Sequence, residues 1–295
     1  MNDFSGLAII HDAQSARLKW HRLRRRQHDP LFSSTVLKEG LALGASMELD
    51  LRVRADGGFV VLHDDRLEGE TAGSGLISEA SSADLRKLRM KVGGERLTLS
   101  EELPDLLSLA HPDALLQFDL KDRMTAIGKR GLDYLAANMK SFGKQVIVSA
   151  KDQDLILAIR KRAPDLRRGI DPSDKLVDLL HSQGLAAVEA ALVADVTGET
   201  EAETIYLAWP LVLDAAREGL DLIALCHFHG RTADIWTYNL QNPAAGFSEN
   251  EWQTFSSLMA LKPDQVTTDE ALATERAWKA RMTTVTSADA VDGSR

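Results

Sequence analysis

The sequence predicts an α/β fold, a (β/α)8 TIM barrel with a β-hairpin and a small insertion at its C-terminal mouth. Three observations carry that expectation. Short apolar runs alternate with helical patterns along the chain, the mark of a mostly parallel sheet with crossover helices. The 295 residues suit one barrel, which takes about 250. The strand candidates number nine, one of which folds back on its neighbour, leaving eight for the barrel.

In chain order the candidates are Leu7–Ile10, Ser46–Val53, Phe59–His63, Ala114–Lys121, Gln145–Ser149, Leu166–Ile170, Glu203–Leu207, Ala233–Tyr238 and Gln265–Thr268. The first ends at His11, where a first barrel strand should end. Ala13 to Gln27 holds strong helix formers throughout, so His21 also reads as an ordinary residue of a basic helix. Val36, Leu37 and Leu41 mark one apolar helical face before Gly44. Between Val53 and Phe59 the chain is too short for a parallel crossover, and Asp56-Gly57 is a hairpin-turn signal. Ser100, Glu102, Leu103, Leu106 and Leu107 read as a capped helix. Asp154–Arg162 and Leu211–Glu218 are helical as well, with Gly219 as a stop signal. Residues 1–282 are expected to form a single domain, and 283–295, rich in Ser, Thr, Ala and Asp, a flexible tail.

Composition excludes several classes. A net charge of −9 argues against a nucleic-acid binder. The single Cys226 forbids an internal disulfide and fits a reducing compartment. No apolar run is long enough to span a bilayer, and the N-terminus lacks the pattern of a secretion signal, so a cytoplasmic location is expected.

Two strands carry charge on one face. In Met47-Glu48-Leu49-Asp50-Leu51-Arg52-Val53 the period is two, so Glu48, Asp50 and Arg52 share the face that points into a barrel. Carboxylates so placed repel each other and stay ionised most readily around a cation. If Asp56-Gly57 is a two-residue turn, Ala55 pairs with Gly58, and counting outward sets Asp50 opposite His63. In Ala114–Lys121 the residues Gln117, Asp119 and Lys121 likewise share a face. Three carboxylates suit one hard divalent cation, Mg2+ or Ca2+.

These segments resemble the glycerophosphodiester phosphodiesterase family. The resemblance rests on Glu48-Leu49-Asp50, on the Asp56-Gly57 turn and on the run that ends in His63-Asp64. It continues through Gly73-Ser74-Gly75, Thr98-Leu99-Ser100-Glu101, Asp119-Leu120-Lys121, Trp236-Thr237-Tyr238-Asn239 and Thr268-Asp269. His21-Arg22 matches the family's His-Arg-Gly, with Leu23 in place of the glycine. The segment Pro30-Leu31-Phe32-Ser33-Ser34-Thr35 departs from the usual Pro-Glu-Asn-Thr, and Asp119 stands where Glu is usual.

The resemblance implies a metal-dependent hydrolysis of glycerophosphodiesters to glycerol 3-phosphate and an alcohol. Glu48, Asp50 and Asp119 would hold the metal; Arg22 and Lys121 would bind phosphate; His21 and His63 would be general base and acid; Trp236 would line the substrate pocket. His11 remains the alternative first histidine. The departures leave open a sugar phosphodiester or lysophospholipid substrate, or a catalytically silent binding barrel. Arg24, Arg25 and Arg26 read as anion ligands or as a solvated face, and His227 and His229 beside Cys226 are a weak zinc signal.

Overall fold

The structure, a computed structural model, describes the backbone of residues 4–292 and the side chains of residues 4–283. Eight parallel strands close on themselves: β2 (Gln14–Trp20), β3 (Ser46–Val53), β5 (Leu115–Leu120), β6 (Val146–Ala150), β7 (Arg167–Ile170), β8 (Thr204–Ala208), β9 (Thr232–Trp236) and β10 (Gln265–Thr268). Closure comes from β2, which pairs with β10 through Gln265↔Arg17 to Thr268↔Trp20 and with β3 through Lys19↔Ser46 and Trp20↔Met47. Two short strands add antiparallel edges: β1 (Ala8–His11) on β2, and β4 (Phe59–Val61) on β3.

The expected first strand is therefore corrected. Leu7–Ile10 falls largely in β1, an arm that runs against the barrel, and the first barrel strand is Gln14–Trp20, which helix-forming residues had disguised. Its period is two: Ala16, Leu18 and Trp20 are buried toward the helices, while Lys19 turns inward and is equally buried. A lysine inside a barrel is tolerated because Asp234 Oδ2 lies 2.6 Å from its ammonium. No helix forms over Ala13–Gln27; only a short 3-10 turn, His21–Leu23, follows the strand.

Local signals explain most other elements. Ser33 caps the helix Ser34–Leu43 by accepting from Val36 N, and Gly44, at φ 75, ends it. The helices Gln153–Arg162 and Trp209–Arg217 lie where the apolar periodicity put them. Ser100 differs: it opens a 3-10 turn without capping it, and its hydroxyl instead accepts from Phe59 N at 2.9 Å, tying down β4. The outward residues of β3, Met47, Leu49, Leu51 and Val53, and of β5, Leu116, Phe118 and Leu120, form the core between sheet and helices.

The β3–β4 hairpin exists but its register differs by one residue from the expectation. Leu51 pairs with Val61, Arg52 with Val60 and Val53 with Phe59. Arg54 and Gly58 then bracket a three-residue loop, Ala55–Gly57, with Gly57 at φ 87. Loops of this length place one residue in the left-handed region, which glycine occupies without strain. Continued outward, this register aligns Asp50 with Leu62, so His63 is not Asp50's cross-strand partner. The segment from Leu62 to Glu102, with the short helices Leu67–Glu70 and Ser82–Leu85, is the small insertion at the mouth. The closing helix runs Ala271–Asp292, so the expected tail over 283–295 is helical as far as Asp292, and 293–295 lie outside the described residues. Among the described residues no helix is long and apolar enough to cross a membrane.

Candidate active site

A cavity of about 300 Å³ opens at the C-terminal ends of the barrel strands, where such folds carry their chemistry. His21, Arg22, Glu48, His63, Asp119, Lys121 and Trp236 all line it. Asp50 lies directly beneath, fully buried. The structure thus brings together every residue that the sequence singled out for the site except His11. That residue sits on β1, its ring against Trp278 and its Nε2 3.6 Å from Asp12, facing away from the mouth.

The acidic residues form one cluster. Glu48, Asp50 and Asp119 each offer an oxygen, and these oxygens lie within 4.8 Å of one another. Register explains why: Asp50 on β3 pairs with Asp119 on β5, and both side chains face inward. Lys121 Nζ stands 2.8 Å from Asp50 Oδ1 and also contacts Asp119. Arg22 donates its backbone N–H to Glu48 Oε2 at 2.8 Å, and its Nε lies 3.3 Å from Asp50 Oδ2.

Electrostatics strain this cluster. Burial, and then the charge of Glu48, push the Asp50 carboxyl up to about 8, against the pull of Lys121. Burial disfavours the Lys121 ammonium, yet Asp119, Asp50 and Glu48 together hold its pKa well above the ordinary lysine value. Despite the nearby cations, neither Asp50 oxygen accepts a hydrogen bond of good geometry, although both are buried. Three converging carboxylates, one with two buried oxygens that have ion pairs but accept no hydrogen bond, fit a hard divalent cation: its ligands are all oxygen, and its charge would relieve the repulsion that raises Asp50.

The two histidines face the same cavity from different segments. His21 directly follows β2, and its Nδ1 lies 2.7 Å from Asp269 Oδ1, just past β10. Asp269 also meets Arg24 and accepts from Asn239 Nδ2 at 2.7 Å. Burial alone would raise this carboxyl, but His21, Arg24 and Asn239 hold it below the usual carboxylate range. His63 follows β4 and Leu62, with Nδ1 3.0 Å from Asp64 Oδ1. Glu70 fixes that loop by accepting from His63 N at 2.8 Å and Asp64 N at 3.0 Å. Each imidazole therefore has Nδ1 engaged by a carboxylate, which leaves Nε2 as the ring's other protonatable atom.

Several contributors escaped the sequence reading. Asp269 and Asp64 stood in quoted motifs without a role, because nothing in a sequence pairs position 21 with 269. Arg52 shares the face of Glu48 and Asp50 yet acts at the rim: Nε donates to His63 O at 2.8 Å, and the guanidinium meets Asp122 at 2.9 Å. It clamps the His63 loop to the end of β5. The Tyr206 hydroxyl, which the sequence did not single out, is buried in the lining without a hydrogen bond, as is Nε1 of Trp236, which it did. Of the other arginines, Arg24 joins His21 on Asp269, whereas Arg25 is engaged away from the site with Glu39 and Arg26 with Asp29 and Glu39. His227 pairs with Asp264 at 2.8 Å.

The sequence departure at Leu23 has a backbone consequence. Arg22 and Leu23 sit at φ 51 and φ 61, the left-handed region that glycine adopts freely. Leu23 occupies it because its side chain is fully buried. Burial of a leucine offsets a conformational cost of about 1–2 kcal/mol.

Comparison with known proteins places this geometry. A glycerophosphodiester phosphodiesterase of Caldanaerobacter subterraneus is 27% identical over 154 residues, half of this chain and 63% of that protein. The YqiK protein of Bacillus subtilis is 27% identical over 149 residues, 48% of this chain and 60% of that protein. The alignments thus span less than two thirds of these curated relatives. Among solved structures, the Agrobacterium tumefaciens glycerophosphodiester phosphodiesterase shares the fold at TM-score 0.63 and 17% identity, with 88% of this chain and 99% of that one covered. The Oleispira antarctica phosphodiesterase, solved with the product sn-glycerol-3-phosphate, does so at TM-score 0.62 and 17% identity, covering 88% and 95%. The family model for glycerophosphoryl diester phosphodiesterases matches residues 34–273, from the helix after β2 to the last helix, and by that match the chain belongs to the glycerophosphoryl diester phosphodiesterase family.

Proposed function

We propose that the protein hydrolyses glycerophosphodiesters to glycerol 3-phosphate and an alcohol, with one divalent cation, Mg2+ or Ca2+, held by Glu48, Asp50 and Asp119. The observation that carries the reading is the meeting of two carboxylate-held imidazoles, His21 and His63, with the acidic cluster in one cavity. Family membership supports it, as does the fold shared with the Oleispira enzyme and its bound product. The unpaired buried Cys226 accords with a cytoplasmic protein.

When bound, the cation supplies positive charge that offsets the anionic phosphate and orients it. Arg22 and Lys121 bind the remaining phosphate oxygens, which is why two cations stand at the edge of an acidic cluster. One imidazole, neutral at Nε2, takes the proton of the glycerol 2-hydroxyl as that oxygen attacks phosphorus. The other, protonated at Nε2, gives its proton to the departing alcohol oxygen as the phosphorus–oxygen bond breaks. Water then opens the cyclic phosphate with the two roles reversed, so one water is consumed and both histidines return to their starting states. Trp236 would line the substrate pocket, and its Nε1, a donor without a hydrogen bond, would be available to a substrate hydroxyl.

The test is an assay of metal-stripped protein on glycerophosphocholine, a sugar phosphodiester and a lysophospholipid, with Mg2+ or Ca2+ restored. Glycerol 3-phosphate should appear only with metal, and His63→Ala or Glu48→Ala should lower kcat/KM by about 10³-fold. Absence of product from glycerophosphocholine with either ion would overturn the reading, and turnover of another diester alone would move the substrate.

A further inference from the structure

At the floor of the cavity, whose lining includes Lys19, Gln117 and Ser149, the barrel interior holds a buried polar chain that leads to Asp119 and to which no catalytic role has been given. Lys19 and Asp234 form an ion pair at 2.6 Å with both side chains essentially inaccessible. Asp234 also accepts from Thr267 Oγ1 at 2.7 Å and from Gln265 Nε2. The Lys19 ammonium spends its other donors on Gln117 Oε1 and on the Tyr206 ring, whose centroid lies 4.4 Å away. Gln117 Nε2 donates to Ser149 Oγ at 2.8 Å, and Ser149 Oγ donates to Asp119 Oδ1 at 2.8 Å.

The direction of this chain is dictated by its first member. An ammonium has donors only, so the Gln117 atom facing Lys19 must be the carbonyl oxygen. That leaves the Gln117 amide N–H₂ facing Ser149, whose oxygen must accept. Serine has one proton, and with its oxygen already accepting, that proton is free for Asp119. Were Gln117 flipped, its oxygen would face Ser149 and take the proton, and Asp119 would face a lone pair instead.

We infer that Lys19 is a positioning residue that, through Gln117 and Ser149, holds Asp119 in the orientation required of a cation ligand. The inference rests on the cation reading above and deepens it. Oδ1 held by Ser149 and Oδ2 by Lys121 fix the plane of the Asp119 carboxylate, one oxygen of which lies within 4.8 Å of an oxygen from each of Glu48 and Asp50. Partners that orient a metal ligand in this way are typically worth about 10–100-fold in metal affinity.

Lys19→Met would strand Asp234 as an unpaired buried charge and can unfold the chain, so the decisive variants keep that pair. Ser149→Ala removes the donor to Asp119. Gln117→Glu keeps the contact with Lys19 but presents an acceptor to Ser149, which then competes with Asp119 for its one proton. The added negative charge by itself attracts a cation, and it does so whether or not Ser149 is present. Titration calorimetry of Mg2+ and Ca2+ into metal-stripped unaltered protein, Ser149→Ala, Gln117→Glu, the double variant and Glu48→Gln separates these effects, with circular dichroism confirming that each folds.

Ser149→Ala should weaken cation binding by about tenfold. Gln117→Glu should be less favourable to binding when Ser149 is present than when it is combined with Ser149→Ala, by about fivefold or more, a coupling that charge alone does not produce. Unchanged affinity in Ser149→Ala, or an additive cycle, overturns the relay while leaving the cation site standing. If the unaltered protein binds neither ion, or Glu48→Gln binds as well as it does, the cation reading falls and the relay with it.

Discussion

Asp269 shows how much of a site can depend on a residue whose partner no sequence pattern names. Its Oδ1 lies 2.7 Å from His21 Nδ1, so it holds that nitrogen as the donor and leaves the Nε2 lone pair facing the cavity. Asp269→Asn preserves the shape but lets the amide donate to Nδ1, which moves the ring proton to Nε2 and removes the base that the proposed mechanism would draw from His21. We expect kcat/KM to fall by about 100-fold with little change in melting temperature; a loss under about threefold would show that His21 needs no such partner. The residues that were legible, Glu48, Asp50, Asp119 and Lys121, were so because alternation along a strand puts them on one face whatever the distant fold. A pair such as His21 and Asp269 is made only by closure of the barrel, and no local pattern encodes it.

Elements were legible where local rules and tertiary environment agree. The helix Ser34–Leu43 has its cap, its apolar face and its terminal glycine, and all three point the same way. β2 was not, because Arg17 and Lys19 are good helix formers in isolation, and the partners that pair with them along the barrel, β10 and β3, lie far off in sequence. The hairpin lies between these cases. Asp56-Gly57 correctly marks a turn, but it does not by itself distinguish a two-residue from a three-residue loop, and that one residue moves His63 out of register with Asp50. The observed loop requires Gly57 at φ 87, with the Arg130 side chain where a Cβ would lie. Gly57→Ala should therefore cost about 1 kcal/mol and lower the melting temperature by about 2–4 °C, with kcat/KM nearly unchanged because Arg52 and Glu70 hold the His63 loop independently. Thermal unfolding of the variant checks this, and a neutral substitution would argue for a different turn.

At the scale of the whole molecule, the cavity draws its residues from nearly the full length of the chain, from Lys19 on β2 to Thr267 on β10. Those are the strands whose pairing closes the barrel. Anything that binds the cavity therefore stabilises the closed barrel as a unit. A cation at about 100 times its Kd adds about 2.7 kcal/mol, and at about 2 °C per kcal/mol for a chain of this size the melting temperature should rise by about 5 °C. The metal-free protein should behave in the opposite sense as the pH rises. The Asp50 carboxyl is pushed up to about 8 from its ordinary value of 3.8, so between those values the folded chain holds a proton that the unfolded chain has released. Stability of the metal-free protein then falls as pH rises through that window, and added cation restores it. Asp50→Asn removes the buried charge, so at pH 9 it should melt higher than the metal-free unaltered protein while gaining nothing from Mg2+ or Ca2+. A melting temperature indifferent to both ions, or raised equally in Asp50→Asn, would remove the three carboxylates as a cation site and leave the two histidines without the charge their chemistry requires.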